Sequence, residues 1–195
     1  TISMILALSR NIPQACASVK AGKWERSKFS GVELHGKALG IIGFGRIGST
    51  VARYAKAFGM SIIVFDPYIS LEVGATLGVQ MVDLKNLVKE SDYITIHIPK
   101  SAETKNLIGE AEFQSMKKTA RLINCARGGI VDEAALANAL AEKRIAGAAL
   151  DVFEEEPLPV NSPLLKLDNC IMTPHLGAST SEAQINVAIE IAETI

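Results

Sequence analysis

The chain has little of what a disulfide scaffold, a zinc site or a membrane span requires. Its three cysteines, Cys16, Cys125 and Cys170, are odd in number and show no CxxC spacing, which points to a reducing compartment. No apolar run approaches the roughly 18 residues of a transmembrane helix, and no signal peptide is legible. Neither charge is in surplus: 20 Lys and Arg stand against 21 Asp and Glu, a net charge of −1. Nucleic acid and anionic membrane surfaces are therefore not expected partners, and a cytoplasmic location is the expectation. An initiating methionine is also missing, and both ends fall inside helical patterns, as expected of an interior piece of a longer protein.

What is present is a chain of 195 residues, enough for one domain with a substantial core. Residues 1–21 read as a leading helix with Pro13 as a kink or restart. Residues 22–37 are polar and glycine-punctuated, a linker holding the single tryptophan, Trp24. From residue 38 to the end, short apolar runs alternate with amphipathic stretches. The runs cover 38–45, 61–66, 92–99, 120–126, 145–152 and 169–175. Helices are expected at 46–58, closed by Gly59, at 83–90 behind an Asp83 cap, and at 132–143 opening at Asp132. A last helix is expected to start at "STSEAQINVAIEIAETI", with Ser179 and Glu182 spaced as a capping box. Near-continuous apolar strands suit a parallel sheet covered on both faces. The fold class expected is α/β, a Rossmann-type doubly wound sheet, whose ligands gather at the carboxyl ends of the strands. Asp66, Arg127, Asp151 and His175 all fall at such ends.

"GFGRIG" places Gly43, Gly45 and Gly48 in GxGxxG spacing between an apolar strand and an amphipathic helix. In that context the glycines allow a tight turn, a close backbone approach to a pyrophosphate, and close packing of helix on strand. A plain strand–helix turn is the bland alternative, and methyltransferases also carry glycine-rich first loops. Asp66 ends the second strand 18 residues past the last glycine, where a carboxylate accepts from ribose hydroxyls and repels a 2′-phosphate. That favours NAD over NADP, with a turn cap before Pro67 as the alternative.

Three histidines are available. His35 lies in the linker and is expected to be solvated; His97 ends "ITIHIP", where a satisfied, partly buried ring and a cofactor-lining one are both open. His175, in "TPHLGAST", follows a strand and a stiffening proline. Near it in role stands "DVFEEEP": a glutamate against a histidine would orient the ring or keep it protonated for acid–base work. Glu154 and Glu155 read as solvated. An arginine fork such as Arg127 could hold a carboxylate bidentately, and Gly128 and Gly129 would turn the backbone away from a ligand. Spacing alone does not bring the arginine, glutamate and histidine together.

The long motifs "NCARGGIVDEAALANALAEKRIAGAALDVFEEEP" and "TPHLGASTSEAQ" resemble the NAD-dependent D-2-hydroxyacid dehydrogenases. The similarity extends over essentially the whole chain, including "GKWERSKFSGVELHGKALGIIGFGRIG". The resemblance implies a hydride-transferring enzyme with NAD as cofactor, a small 2-hydroxy or 2-keto acid as substrate, and no metal. It implies catalytic roles for Arg127, Glu156 and His175. It places NAD contacts at Gly43, Gly45, Arg46, Ile47, Gly48 and Asp66, and near Ile98, where relatives often carry threonine. Cys125, Ala126 and Arg127 would line the nicotinamide half, Asp151 would face its carboxamide, and Gly177 and Ala178 would follow His175 at the same mouth. It further implies a homodimer through the leading helix and Trp24, and a substrate-binding domain essentially absent from residues 1–195. An NAD-sensing, corepressor-like interaction module remains the reading of another class.

Overall fold

The apolar runs build one parallel sheet, and the segments between them cover both its faces. The computed structural model describes residues 1–183 and Ile185. Its strands are β1 (Ala38–Ile42), β2 (Ser61–Phe65), β3 (Gln80–Met81), β4 (Tyr93–Ile96), β5 (Arg121–Asn124), β6 (Gly147–Leu150) and β7 (Cys170–Met172). They lie in the order β3-β2-β1-β4-β5-β6-β7, every neighbouring pair parallel. The helices are α1 (Ile2–Arg10), α2 (Ile12–Lys20), α3 (Arg46–Ala57), α4 (Leu71–Thr76), α5 (Leu84–Glu90), α6 (Glu110–Ser115) and α7 (Glu133–Ala141). The strand order runs outward from β1 in both directions, as the doubly wound expectation requires. A crevice therefore opens between the carboxyl ends of β1 and β4.

Successive strand side chains point to opposite faces, and here both faces are dry. Leu39 and Ile41 of β1 pack with Ile5 and Leu8 of α1 and Val51 and Ala55 of α3. Ile42 joins the opposite layer, with Leu87 of α5 and Leu136 and Leu140 of α7. Leu122 and Ile123 of β5 divide in the same way. Each such side chain removed from water contributes on the order of 1.5–3 kcal/mol, so a polar residue on either face would cost the sheet directly.

Boundaries differ from the sequence reading in physically simple ways. The leading helix breaks at Asn11, which adopts a left-handed φ of 51°, and Pro13 sits in the first turn of α2. A proline is welcome there because a first-turn N–H has no intrahelical acceptor. The 22–37 linker contains a short 3-10 turn, Arg26–Phe29. β3, α4 and α6 were not anticipated; elements of two to six residues are too short to show a period. Asp83 caps α5 as expected, its Oδ1 accepting from the Asn86 N–H at 2.7 Å. At the last helix the cap is Thr180 rather than Ser179: Thr180 Oγ1 accepts from the Ala183 N–H at 3.1 Å. Ser179 is instead held in a turn by its N–H to the Leu176 carbonyl. The remainder of that expected helix, 184 and 186–195, lies outside the described residues.

Candidate active site

At the exit of β1 the chain reverses through Gly43, whose φ is 90°. A Cβ there would sit 2.7 Å from the His97 carbonyl oxygen, so the turn is closed to other residues. Gly45 is different in kind: a Cβ built on it meets nothing within 4 Å, which leaves open space over the loop. Gly45 is also the N-cap of the 12-residue α3 and supplies no side-chain cap, so first-turn N–H groups are free to meet an anion. A loop that is tight beneath and open above, at a helix N-terminus, fits a dinucleotide's pyrophosphate.

Asp66, just beyond β2, is tied to this loop. Its Oδ2 accepts from the Phe44 N–H at 2.8 Å and its Oδ1 from the Tyr68 N–H at 2.9 Å. The turn-forming role is therefore real, and it coexists with the other reading, because each carboxylate oxygen keeps a lone pair for a ribose hydroxyl.

A cleft of about 600 Å³ runs from the glycine loop across the strand ends. Gly45, Arg46 and Ile47 form one end; His97 and Ile98 follow from the exit of β4; Cys125, Ala126 and Arg127 come from the exit of β5. His175, Gly177 and Ala178 close the far side. Gly43 and Gly48 lie beneath the loop, and Asp66, Asp151 and Glu156 stand outside the lining. His97 meets both of its open readings: it lines the cleft, and its Nε2 lies 3.0 Å from Thr95 Oγ1. Burial pushes its imidazole down to about 4, so it presents a neutral ring. His35 is exposed, as expected.

Arg127 projects from a turn that Asn124 shapes. The buried Asn124 amide donates to the Arg127 carbonyl and accepts from the Ala126 N–H, both at 3.0 Å. One guanidinium nitrogen of Arg127 donates to the Ala126 carbonyl, and the rest of the fork faces outward. Gly128 corrects the sequence reading. A Cβ there would lie 1.7 Å from the Phe153 carbonyl oxygen, so the glycine makes room for the 153–154 peptide, not for a ligand.

That contact brings the arginine turn beside the loop carrying Glu156. Glu156 Oε2 accepts from His175 Nδ1 at 2.7 Å, and Glu156 Oε1 accepts from the Phe153 N–H at 2.9 Å. The bond from His175, with that from Phe153, holds the Glu156 carboxyl below the usual carboxylate range. With Nδ1 engaged, Nε2 is the free nitrogen of a ring 49% exposed. His175 adopts a left-handed φ of 53°, and Asp151 holds that turn from below. Only 3% exposed, Asp151 accepts on Oδ1 from the Leu176 N–H at 2.8 Å and from the Thr173 hydroxyl. Its other oxygen lies beside Gly177 rather than in the cleft lining. Glu154 and Glu155 are exposed, in keeping with the sequence reading. Thr173 escaped that reading because its partner Asp151 is brought near only by the fold, whereas Asn124, bonded to Ala126 and Arg127 two and three residues on, carried a local turn signal that the reading passed over. Among the described residues no three His, Cys, Asp or Glu group as a metal site, and no helix is long and apolar enough to cross a membrane.

Comparison with known proteins gives the family. The family described as "D-isomer specific 2-hydroxyacid dehydrogenase, NAD binding domain" matches residues 2–177. The D-3-phosphoglycerate dehydrogenase of Methanocaldococcus jannaschii is 55% identical over 196 residues, covering 100% of this chain and 37% of that protein. The human protein of the same name is 53% identical over 98% of the chain and 36% of its own length. The chain thus spans little more than a third of the curated relatives it matches. Among solved structures, a D-lactate dehydrogenase from Aquifex aeolicus, complexed with NAD and lactic acid, superposes with a TM-score of 0.90 at 34% identity. That match covers 100% of this chain and 63% of the other.

Proposed function

Because the chain belongs to the D-isomer specific 2-hydroxyacid dehydrogenases, as their NAD-binding domain, we propose that it supplies the cofactor site and one catalytic wall of a 3-phosphoglycerate dehydrogenase. The observation that carries this reading is the 2.7 Å pair of Glu156 and His175, whose histidine lines the same cleft as Arg127 and the glycine loop while the glutamate backs it from outside. The identity of the relatives, above half over the whole chain, supports the choice of substrate. The reaction would be oxidation of 3-phosphoglycerate to 3-phosphohydroxypyruvate, in the cytoplasm and on the route to serine.

The loop of Gly43 to Gly48, with Arg46 and Ile47, would hold the pyrophosphate of NAD, Asp66 the adenosine ribose, and Ile98, Cys125 and Ala126 the nicotinamide half. When bound, NAD supplies the acceptor or donor for the hydride at C2 of the substrate. Arg127 grips the substrate carboxylate with its outward fork and polarises the C2 oxygen. His175 takes the hydroxyl proton on Nε2 during oxidation and returns it during reduction. Glu156, ionised, fixes the ring through Nδ1 and stabilises the imidazolium. Asp151 and Thr173 keep the His175 turn in place. The substrate-binding domain would lie outside these 195 residues, as the partial coverage of the relatives suggests. A homodimer would form through α1, α2 and Trp24, which is 85% exposed.

Steady-state turnover of the full-length protein with 3-phosphoglycerate, glyoxylate and D-lactate tests the assignment. Phosphoglycerate should give the highest kcat/KM. A preference for glyoxylate or D-lactate would make it a reductase of that type, and no turnover with any of the three would favour an NAD-sensing interaction module.

A further inference from the structure

The loop carrying Glu156 is held at two consecutive backbone N–H groups, and the two bonds differ in reach. That from Phe153 to Glu156 Oε1 closes the loop on itself at 2.9 Å. That from Glu154 runs at 2.5 Å to Glu133 Oε1, 21 residues earlier in the chain, at the first position of α7. On the arginine-turn side the peptide meets Gly128, whose missing Cβ makes the space. The peptide between Phe153 and Glu154 is thus seated between the arginine turn and a carboxylate of α7.

We infer that Glu133 is a positioning residue: from the first turn of α7 it fixes the loop that presents Glu156 to His175, an inference resting on the catalytic reading of that pair. Among the described residues its carboxylate makes no other hydrogen bond, and its remaining contribution is a negative charge in the first turn of α7. The helix is already capped by Asp132, whose Oδ1 accepts from the Ala134 and Ala135 N–H groups. The surroundings are also unfavourable to a charge. Burial raises the Glu133 carboxyl, and Glu154, Asp132 and Glu156 add to the effect, partly offset by the Glu154 N–H. The Cys170 thiol, pushed up to about 12 by its burial and by Glu133, faces it from β7, and Lys100 lies by the neighbouring Gly129. A glutamate at the start of a helix is free to turn toward solvent. This one stays among carboxylates, where the loop N–H needs an acceptor.

Reach, not charge, should therefore decide its contribution. In the full-length enzyme the readout is the basic limb of the pH–rate profile for ketoacid reduction, with Glu156→Gln setting the benchmark displacement. Glu133→Ala and Glu133→Asp, the latter one methylene short, should move that limb to lower pH by at least half the benchmark and lower kcat with it. Glu133→Gln, which offers a carbonyl oxygen at the same reach, should stay close to wild type. If E133D behaves like wild type while E133Q behaves like E133A, the effect is one of charge and the positioning role is overturned. An unmoved limb in all the Glu133 variants overturns it equally, and E133D against E133Q carries the decision if E133A does not fold. A benchmark that fails to move would bring down the reading of Glu156 and His175 itself, and the inference with it.

Discussion

On the proposed reading, Asp66 would serve both the fold and the cofactor with one carboxylate. It anchors the glycine loop through Phe44 and its own turn through Tyr68, and it would receive the ribose hydroxyls at the crevice. Hydrogen bonds to a charged group are worth roughly 1.5–3 kcal/mol, so Asp66→Ala should weaken NADH binding by about tenfold or more. It should also relieve the exclusion of NADPH, and fluorescence titration of both cofactors gives the ratio; an unchanged ratio would remove Asp66 from the role. For Glu156 the sign follows from its neighbours. Its carboxyl is lowered, first by His175 and then by Phe153, so it meets the ring as a carboxylate. Its contribution to stability is present above the ordinary carboxylate range and fades as pH falls through its lowered value. Ketoacid reduction draws on the imidazolium, so the rate should fall as pH rises, and Glu156→Gln should shift that fall to lower pH. Were the profile unmoved, Glu155 would be the next candidate.

At the scale of elements, the glycines divide into those the fold needs and those a ligand needs. Gly128→Ala would drive a Cβ to 1.7 Å from the Phe153 carbonyl oxygen, separating the arginine turn from the Glu156 loop. A loss of at least about 2 kcal/mol is expected in denaturant unfolding. Gly45→Ala meets nothing within 4 Å and should leave stability within about 0.5 kcal/mol. NADH affinity should nevertheless drop, because the space it fills is the space over the loop. Equal stability losses would erase the distinction. The same scale explains what could be read in advance. Six of the seven strands, all but β3, and α3 were legible from apolar runs and from "GFGRIG", since both faces of the sheet demand apolar residues. The runs overreached at the carboxyl ends: β4 stops at Ile96, β5 at Asn124 and β6 at Leu150; His97 and Cys125, which come next, line the cleft, while Asp151 turns in under the His175 turn. Nothing in spacing could show that Gly128 serves the 153–154 peptide, or that Glu133 and Thr173 support Glu156 and His175. Those contacts join segments that only the sheet order brings together.

At the scale of the described residues, the sheet has a crevice at its switch point, and on the proposed reading one wall of an active site stands beside it. On that reading the glycine loop, Asp66 and the β5 exit would receive NAD. Arg127, Glu156 and His175 form one wall, open to water, and the fraction of its relatives that the chain spans is consistent with a second wall elsewhere in the protein. Positioning of reactants can be worth on the order of 7–11 kcal/mol, and much of it depends on closure over the substrate. The decisive measurement is therefore made on the 195-residue chain beside its full-length parent: NADH binding by calorimetry, and turnover of 3-phosphohydroxypyruvate at saturating NADH. Binding comparable to the parent with turnover lower by orders of magnitude is the expected result. Parent-like turnover by the chain alone would place substrate recognition within these residues and contradict the one-wall account.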